Sequence, residues 1–136
     1  MNKIEEYIKE ITSENDSAIV SINKDDMNIF VEKNDVIDGE KIKGTIGTIF
    51  DTLKDTLNNI IKRNKSDKCS DIILFIKQSE GNDISMADLS KMIDILSKSG
   101  EDIDILWGML TQKGMKSEPF ELILLVGFEI GKKRIF

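Results

Sequence analysis

Residues 120–128, FELILLVGF, place an apolar side chain at almost every position of a segment too short to cross a bilayer. A strand alternates its side chains between two faces, so apolar residues at both parities require cover above and below. Phe120, Leu122, Leu124, Val126 and Phe128 occupy one parity, and Ile123 and Leu125 the other. IDILWGML at 103–110 repeats the pattern, with Ile103, Ile105, Trp107 and Met109 against Leu106 and Leu110, and IILFI at 72–76 is a third continuous run. These segments predict interior strands of a sheet lying between other layers.

Helices are predicted from spacing. Ile4, Tyr7, Ile8 and Ile11 give a short amphipathic helix, and Met86, Leu89, Met92, Ile93 and Leu96 form the inner face of another. The second carries a start signal in Ser85 with Asp88 three residues on, an Asp variant of the capping box, with Ile84 placed to staple onto its first turns. Gly100 is expected to close it in the left-handed conformation. Between them, Ile42, Ile46, Ile49, Phe50, Leu53, Leu57, Ile60 and Ile61 recur at threes and fours, which predicts one long helix over 40–63. Burial of that stripe, at about 1.5–3 kcal/mol per side chain, is expected to outweigh the ~1 kcal/mol cost of Gly44 and of Gly47. AIVSI at 18–22 and MNIFVE at 27–32 read as short strands around the turn NKDD. The expected fold class is α/β (α+β): a single two-layer domain over 1–136, with a mixed sheet of about four strands, two main helices and an N-terminal helix.

Composition narrows the chemistry. The chain has no histidine, which removes the usual neutral-pH general base, the Ser-His and Cys-His nucleophile pairs and the commonest metal ligand. A net charge of −6 argues against nucleic acid, and the basic stretches KRNK at 62–65 and KKR at 132–134 read as helix-end and tail charges. No apolar run approaches membrane length and the N-terminus lacks a leader pattern, so no membrane association and a cytoplasmic location are expected. Cys69 is the single cysteine and reads as a reduced thiol at a strand start. The acidic groups Asp25 with Asp26, Asp35 with Asp38, and Glu101 with Asp102 and Asp104 lack calcium-loop spacing and read as turn and cap residues. GEKIKGTIGT at 39–48 has neither P-loop nor dinucleotide spacing. No cofactor, metal or catalytic residue is expected. Trp107, Gln112, Lys113, Met115 and Phe120 are the candidate interface residues, around the polar connector 111–119.

The stretch from Asp71 to Ile135 resembles the C-terminal domain of the FtsZ family, relatives of tubulin. IILFI, the helix from Ser85 to Ser99, IDILWGML with Gly108, and FELILLVGF with Gly127 and Phe128 carry the resemblance, most persuasively over 71–131. Extended backward, it matches the helix at 40–63, the strand at 18–22 and the opening helix. It implies an FtsZ-like C-terminal domain standing without its GTP site, and without the acidic catalytic loop that precedes the leading helix in that family. The expected function is then a non-catalytic interaction or self-association module related to cell division or filament assembly, not an enzyme. Its partners would be a second copy or an FtsZ-like protein. Two alternatives stand beside it: a separate portion of a filament-forming GTPase, or a small oligomeric α/β ligand-binding domain or enzyme with a site between subunits. Arg63 and Arg134 are the sole arginines available to an anionic ligand. An apolar sheet face left without a GTPase half would be covered by the N-terminal helix and the 27–32 segment, or would associate.

Overall fold

The structure, a computed structural model, describes residues 2–13, 19–64, 68–100, 102–113 and 119–129. Its elements are α1 (Lys3–Ser13), α2 (Lys24–Lys33), β1 (Val36–Gly44), α3 (Ile49–Arg63), β2 (Lys68–Ser79), α4 (Met86–Ser97), β3 (Asp104–Gln112) and β4 (Phe120–Glu129). The fold is α+β, with one four-stranded mixed sheet in the order β1-β4-β2-β3. β4 runs antiparallel to both β1 and β2, and β2 is parallel to β3. A parallel pair needs a crossover, and α4 supplies it.

The two central strands carry the continuous apolar runs, and Ile72 through Ile76 and Leu122 through Val126 are all fully buried. One parity (Ile72, Leu74, Ile76, Leu122, Leu124, Val126 and Phe128) packs with Leu53, Leu57 and Ile60 of α3 and with Leu89, Met92 and Leu96 of α4. The other parity (Ile73, Phe75, Leu110, Ile123 and Leu125) packs with Ile11 of α1, Ile22, and Met27 and Phe30 of α2. The second sheet face is thus covered by the N-terminal helix and the 27–32 segment. Ser85 caps α4 as its sequence predicts, its hydroxyl accepting from the Asp88 N–H at 3.0 Å.

Four local expectations are corrected. Residues 27–32 are helical, because the Asn23 side chain accepts from the Asp25 N–H at 2.6 Å and Met27 and Phe30, one turn apart, both reach the sheet. β propensity is weak against a cap plus two buried side chains. Of the strand expected over 18–22, residue 18 lies outside the described residues and 19–22 form no strand: Val20 makes an isolated bridge to Met109 at the outer edge of β3. The long helix over 40–63 begins at Ile49, since residues 36–44 are paired with β4 from Val36↔Phe128 to Gly44↔Phe120. Ile42 therefore reaches the core from a strand and Ile46 stays 40% exposed in the turn. Gly100 does not have positive φ; among the described residues Gly81 and Asp102 do, at 89° and 55°.

Candidate functional site

Asp71 opens the buried run of β2 and Asp104 opens β3, and the parallel register sets them directly opposite each other. α2 lies on that face of the sheet and ends at Lys33, whose Nζ stands 3.1 Å from Asp71 Oδ1 and 3.4 Å from Asp104 Oδ2. The next residue, Asn34, turns inward: its Nδ2 donates to the Phe30 carbonyl at 2.9 Å and to Asp71 Oδ2 at 3.0 Å. The Ser70 hydroxyl lies 2.7 Å from Asn34 Oδ1 and 2.8 Å from Asp71 Oδ2. Asn34, Ser70 and Asp71 are all buried, so this network satisfies groups that would otherwise be costly to bury.

Above it opens a cleft of about 300 Å³. Its walls are Asp26, Ile29, Phe30 and Lys33 of α2 against Asp71, Ile72, Asp104, Ile105 and Leu106 of the two strands. Three carboxylates against one ammonium give it a formal charge of −2 over an apolar floor. The hydrogen bond from Lys33 to Asp71 holds the ammonium above the usual lysine range, with a lesser contribution from Asp104. Lys33 is therefore a fixed cation and hydrogen-bond donor, unsuited to act as a base or amine nucleophile at neutral pH. Asp71 is occupied by Lys33, Asn34 and Ser70, whereas the Asp104 side chain is 78% exposed at the mouth.

A second polar cluster lies at the other end of the same sheet face. Lys77 of β2, its side chain 6% exposed, pairs with Glu10 of α1 and stands 3.5 Å from Glu121 of β4; Lys41 of β1 is 2.9 Å from Glu10. This quartet ties α1 to three strands. On the opposite face Arg63 donates to Asp38 and Glu40, fixing the end of α3 to β1.

The described candidate interface residues differ in exposure. Trp107 is half-buried and packs against the α3/α4 core, and Phe120 is buried at 4% exposure. Gln112 and Lys113 are exposed at the end of β3, and Met115 lies outside the described residues, as do Glu101, Arg134 and the KKR stretch. No group of His, Cys, Asp or Glu able to hold a metal occurs among the described residues. Cys69 is a free thiol that burial, aided by the Asp71 charge and despite a hydrogen bond from Ser99, pushes up to about 11. Reading the acidic residues as turn and cap groups missed Asp71 and the role of Asp104. Their signal is a repeated pattern, an aspartate placed immediately before each of two apolar strands, in DIILFI and DILWGML.

No protein-family model and no curated protein matches the chain. Among solved structures it is similar to E. coli HypE, a hydrogenase maturation protein, at 12% identity and TM-score 0.47, over 96% of this chain and 45% of that one. It is similar to a thiamine-monophosphate kinase from Stenotrophomonas maltophilia at 14% identity and TM-score 0.46, over 90% of this chain and 40% of that one. A HypE-HypF complex is similar at 10% identity and TM-score 0.39, over 68% and 32% of the respective chains. The chain spans less than half the length of each of these proteins. At these values none of their activities passes to this chain.

The FtsZ resemblance is corrected by these findings, which lie with HypE and a kinase. Its backward extension also fails, since 19–22 hold only an isolated bridge and the helix begins at Ile49. Apolar strands with glycines mark any mixed sheet covered on two faces, so the matching residues specified architecture rather than ancestry. The cell-division role, the FtsZ-like partner and the filament GTPase fall with it. The expectation of no enzyme is withdrawn as well, since an absence of histidine excludes only mechanisms that need one. No helix among the described residues is long and apolar enough to cross a membrane.

Proposed function

We propose that this chain is a small α/β ligand-binding domain whose site is the cleft between α2 and the starting ends of β2 and β3. Its ligand carries a positive charge beside an apolar body. The carrying observation is Lys33 itself: the cleft already holds one ammonium between Asp71 and Asp104, at 3.1 and 3.4 Å. An incoming cation finds Asp104 exposed and Asp26 across the mouth, while Lys33 keeps its contact with Asp71. Ile29, Phe30 and Leu106 offer the apolar wall. Burial of apolar surface supplies affinity and the carboxylates supply selection by charge. Ile29, 58% exposed at the mouth, also gives a second copy an apolar contact, so the proposal includes self-association, read by light scattering.

The test is an NMR titration with 2-phenylethylamine against its neutral counterpart 2-phenylethanol. The expected result is shifts at Ile29, Phe30 and Leu106 with the amine, weaker shifts with the alcohol, and loss of the difference in Asp26→Asn/Asp104→Asn. Equal responses to amine and alcohol, or shifts confined to another surface, would overturn the reading.

A further inference from the structure

We propose that the outer edge of β1 takes up an extended acidic peptide of a partner protein, which adds a strand to the sheet in the groove beside α3. β1 pairs with β4 over nine residues without a register shift, and among the described residues nothing pairs with its other side. An edge strand turns the N–H and C=O of every second residue outward, a template for another backbone. The opposite edge differs. Ile19 and Val20 donate to the Met109 carbonyl at 2.7 and 3.1 Å, and the Met109 N–H donates to the Val20 carbonyl at 2.8 Å, so this chain's own backbone covers β3 there.

The Gly39 N–H already donates to Asp38 Oδ1 at 2.8 Å, so the stretch of β1 left for a partner begins at Glu40. From there a groove of about 320 Å³ runs between residues 40–43 and the polar stripe Thr52, Thr56, Asn59 and Arg63 of α3, which recurs at helical spacing. An added strand alternates its side chains as β1 does. Those on the side where Ile42 enters the core meet the two threonines and Asn59, which suit hydroxyl or amide groups. Those on the other side meet Lys41 and Lys43. Lys41 is held by Glu10 at 2.9 Å, whereas Lys43 is 57% exposed and stands 3.9 Å from Glu121, so its ammonium is available to a carboxylate. Lys3 of α1 reaches Glu40 at 3.0 Å through a half-exposed side chain and can transfer to an incoming acid.

Charge disfavours a second copy as the occupant. Two sheets joined edge to edge about a twofold axis normal to the sheet keep their faces, and β1 places Asp38 and Glu40 on one face and Lys41 and Lys43 on the other. Every antiparallel register centred on a residue from Gly39 to Lys43 then sets acid directly opposite acid or lysine opposite lysine, which is destabilising. A strand alternating carboxylates with hydroxyls meets neither conflict: backbone hydrogen bonds supply its affinity and Lys43 its selection.

The test is an NMR titration of the full chain with an acetylated, amidated heptapeptide alternating threonine and glutamate, and with its counterpart carrying lysine for glutamate. The glutamate peptide should shift the amides of residues 40–43, Thr52 and Thr56 and slow hydrogen exchange within 40–43, and the lysine peptide should not. Lys43→Glu should weaken binding of the glutamate peptide about fivefold, as expected when a cross-strand attraction becomes a repulsion. Equal responses to the two peptides, no response at 40–43 to either, or unchanged binding by Lys43→Glu overturns the inference. Protection of 40–43 that grows with protein concentration in the absence of peptide also overturns it, since the edge then belongs to a second copy. The α2 cleft stands or falls separately, because its amine probe reads Ile29, Phe30 and Leu106 on the opposite face.

Discussion

Asn34 and Gly127 occupy one space: a Cβ built on Gly127 would lie 2.4 Å from Asn34 Cγ. The glycine is what allows the Asn34 amide to sit against β4 and hold Asp71, and through Asp71 the ammonium of Lys33. Gly127→Ala is expected to destabilise by about 1–3 kcal/mol, the range for overpacking. Gly127→Ala/Asn34→Ala should cost less than the sum of the two single changes, by about 1 kcal/mol or more, because the clash disappears with the amide. Urea denaturation of the four proteins reads the coupling, and strict additivity would show that the two residues do not compete.

Asp71 and Asp104 face the same lysine from different surroundings. Asp71→Asn places an amide where Asn34 and Ser70 present hydrogens, and should cost about 1–3 kcal/mol. Asp104→Asn, at an exposed position, should change stability by no more than about 0.5 kcal/mol. The same change should weaken amine binding about tenfold, a loss of about 1.4 kcal/mol. Similar unfolding midpoints for the two variants would contradict this division.

Lys77 holds Glu10 and Glu121 on a nearly closed part of the sheet. Lys77→Met removes one of the two cations on Glu10 and leaves Lys41 to serve both carboxylates, at an expected cost of about 1–3 kcal/mol. Combining it with Glu10→Gln and Glu121→Gln should recover part of that loss. Thermal melts decide, and no recovery in the triple variant would place the effect in packing rather than charge.

Acid should loosen both ion networks. Burial opposes ionisation of Glu10, Asp38 and Glu40. Hydrogen bonds outweigh it, from Lys77 and Lys41 to Glu10, from Arg63 and Asn64 to Asp38, and from Lys3 and Arg63 to Glu40, and all three lie below their ordinary values of 4.5, 3.8 and 4.5. A lowered folded-state pKa contributes stability that is complete above the unfolded value and is lost as pH falls through the folded one. Melting temperature should thus be flat between about pH 5 and 8 and fall progressively below about pH 4.5. A melting temperature that rises on acidification through that window would reverse the assigned sign.

Cys69 should be slow toward disulfide reagents. With its thiol pushed up to about 11, little thiolate is present at pH 8, and half-burial restricts access. Unfolding in urea should speed the reaction by at least about tenfold, since an ordinary thiol titrates near 8.5. Equal rates in native and unfolded protein would show the residue to be open.

The apolar runs of β2, β3 and β4 and the Ser85 cap of α4 were legible in the sequence because each depends on residues adjacent along the chain, but β3, expected as an interior strand, lies at the edge of the sheet. The α+β class followed from them. The stretch from Val36 to Gly44 was not legible as a strand, since its partner β4 lies about eighty residues away and Ile42, Ile46 and Ile49 imitate a helical stripe. Burial decides for α2 in the same way: Met27 and Phe30 become one face only when a sheet lies beneath them. The cleft belongs wholly to the tertiary level. Lys33, Asp71 and Asp104 are separated by 38 and 33 positions and meet only through the parallel register of β2 and β3 and the placement of α2. Local preference is set by a few neighbouring residues, whereas a site assembled across strands is set by which long-range pairings bury the most apolar surface.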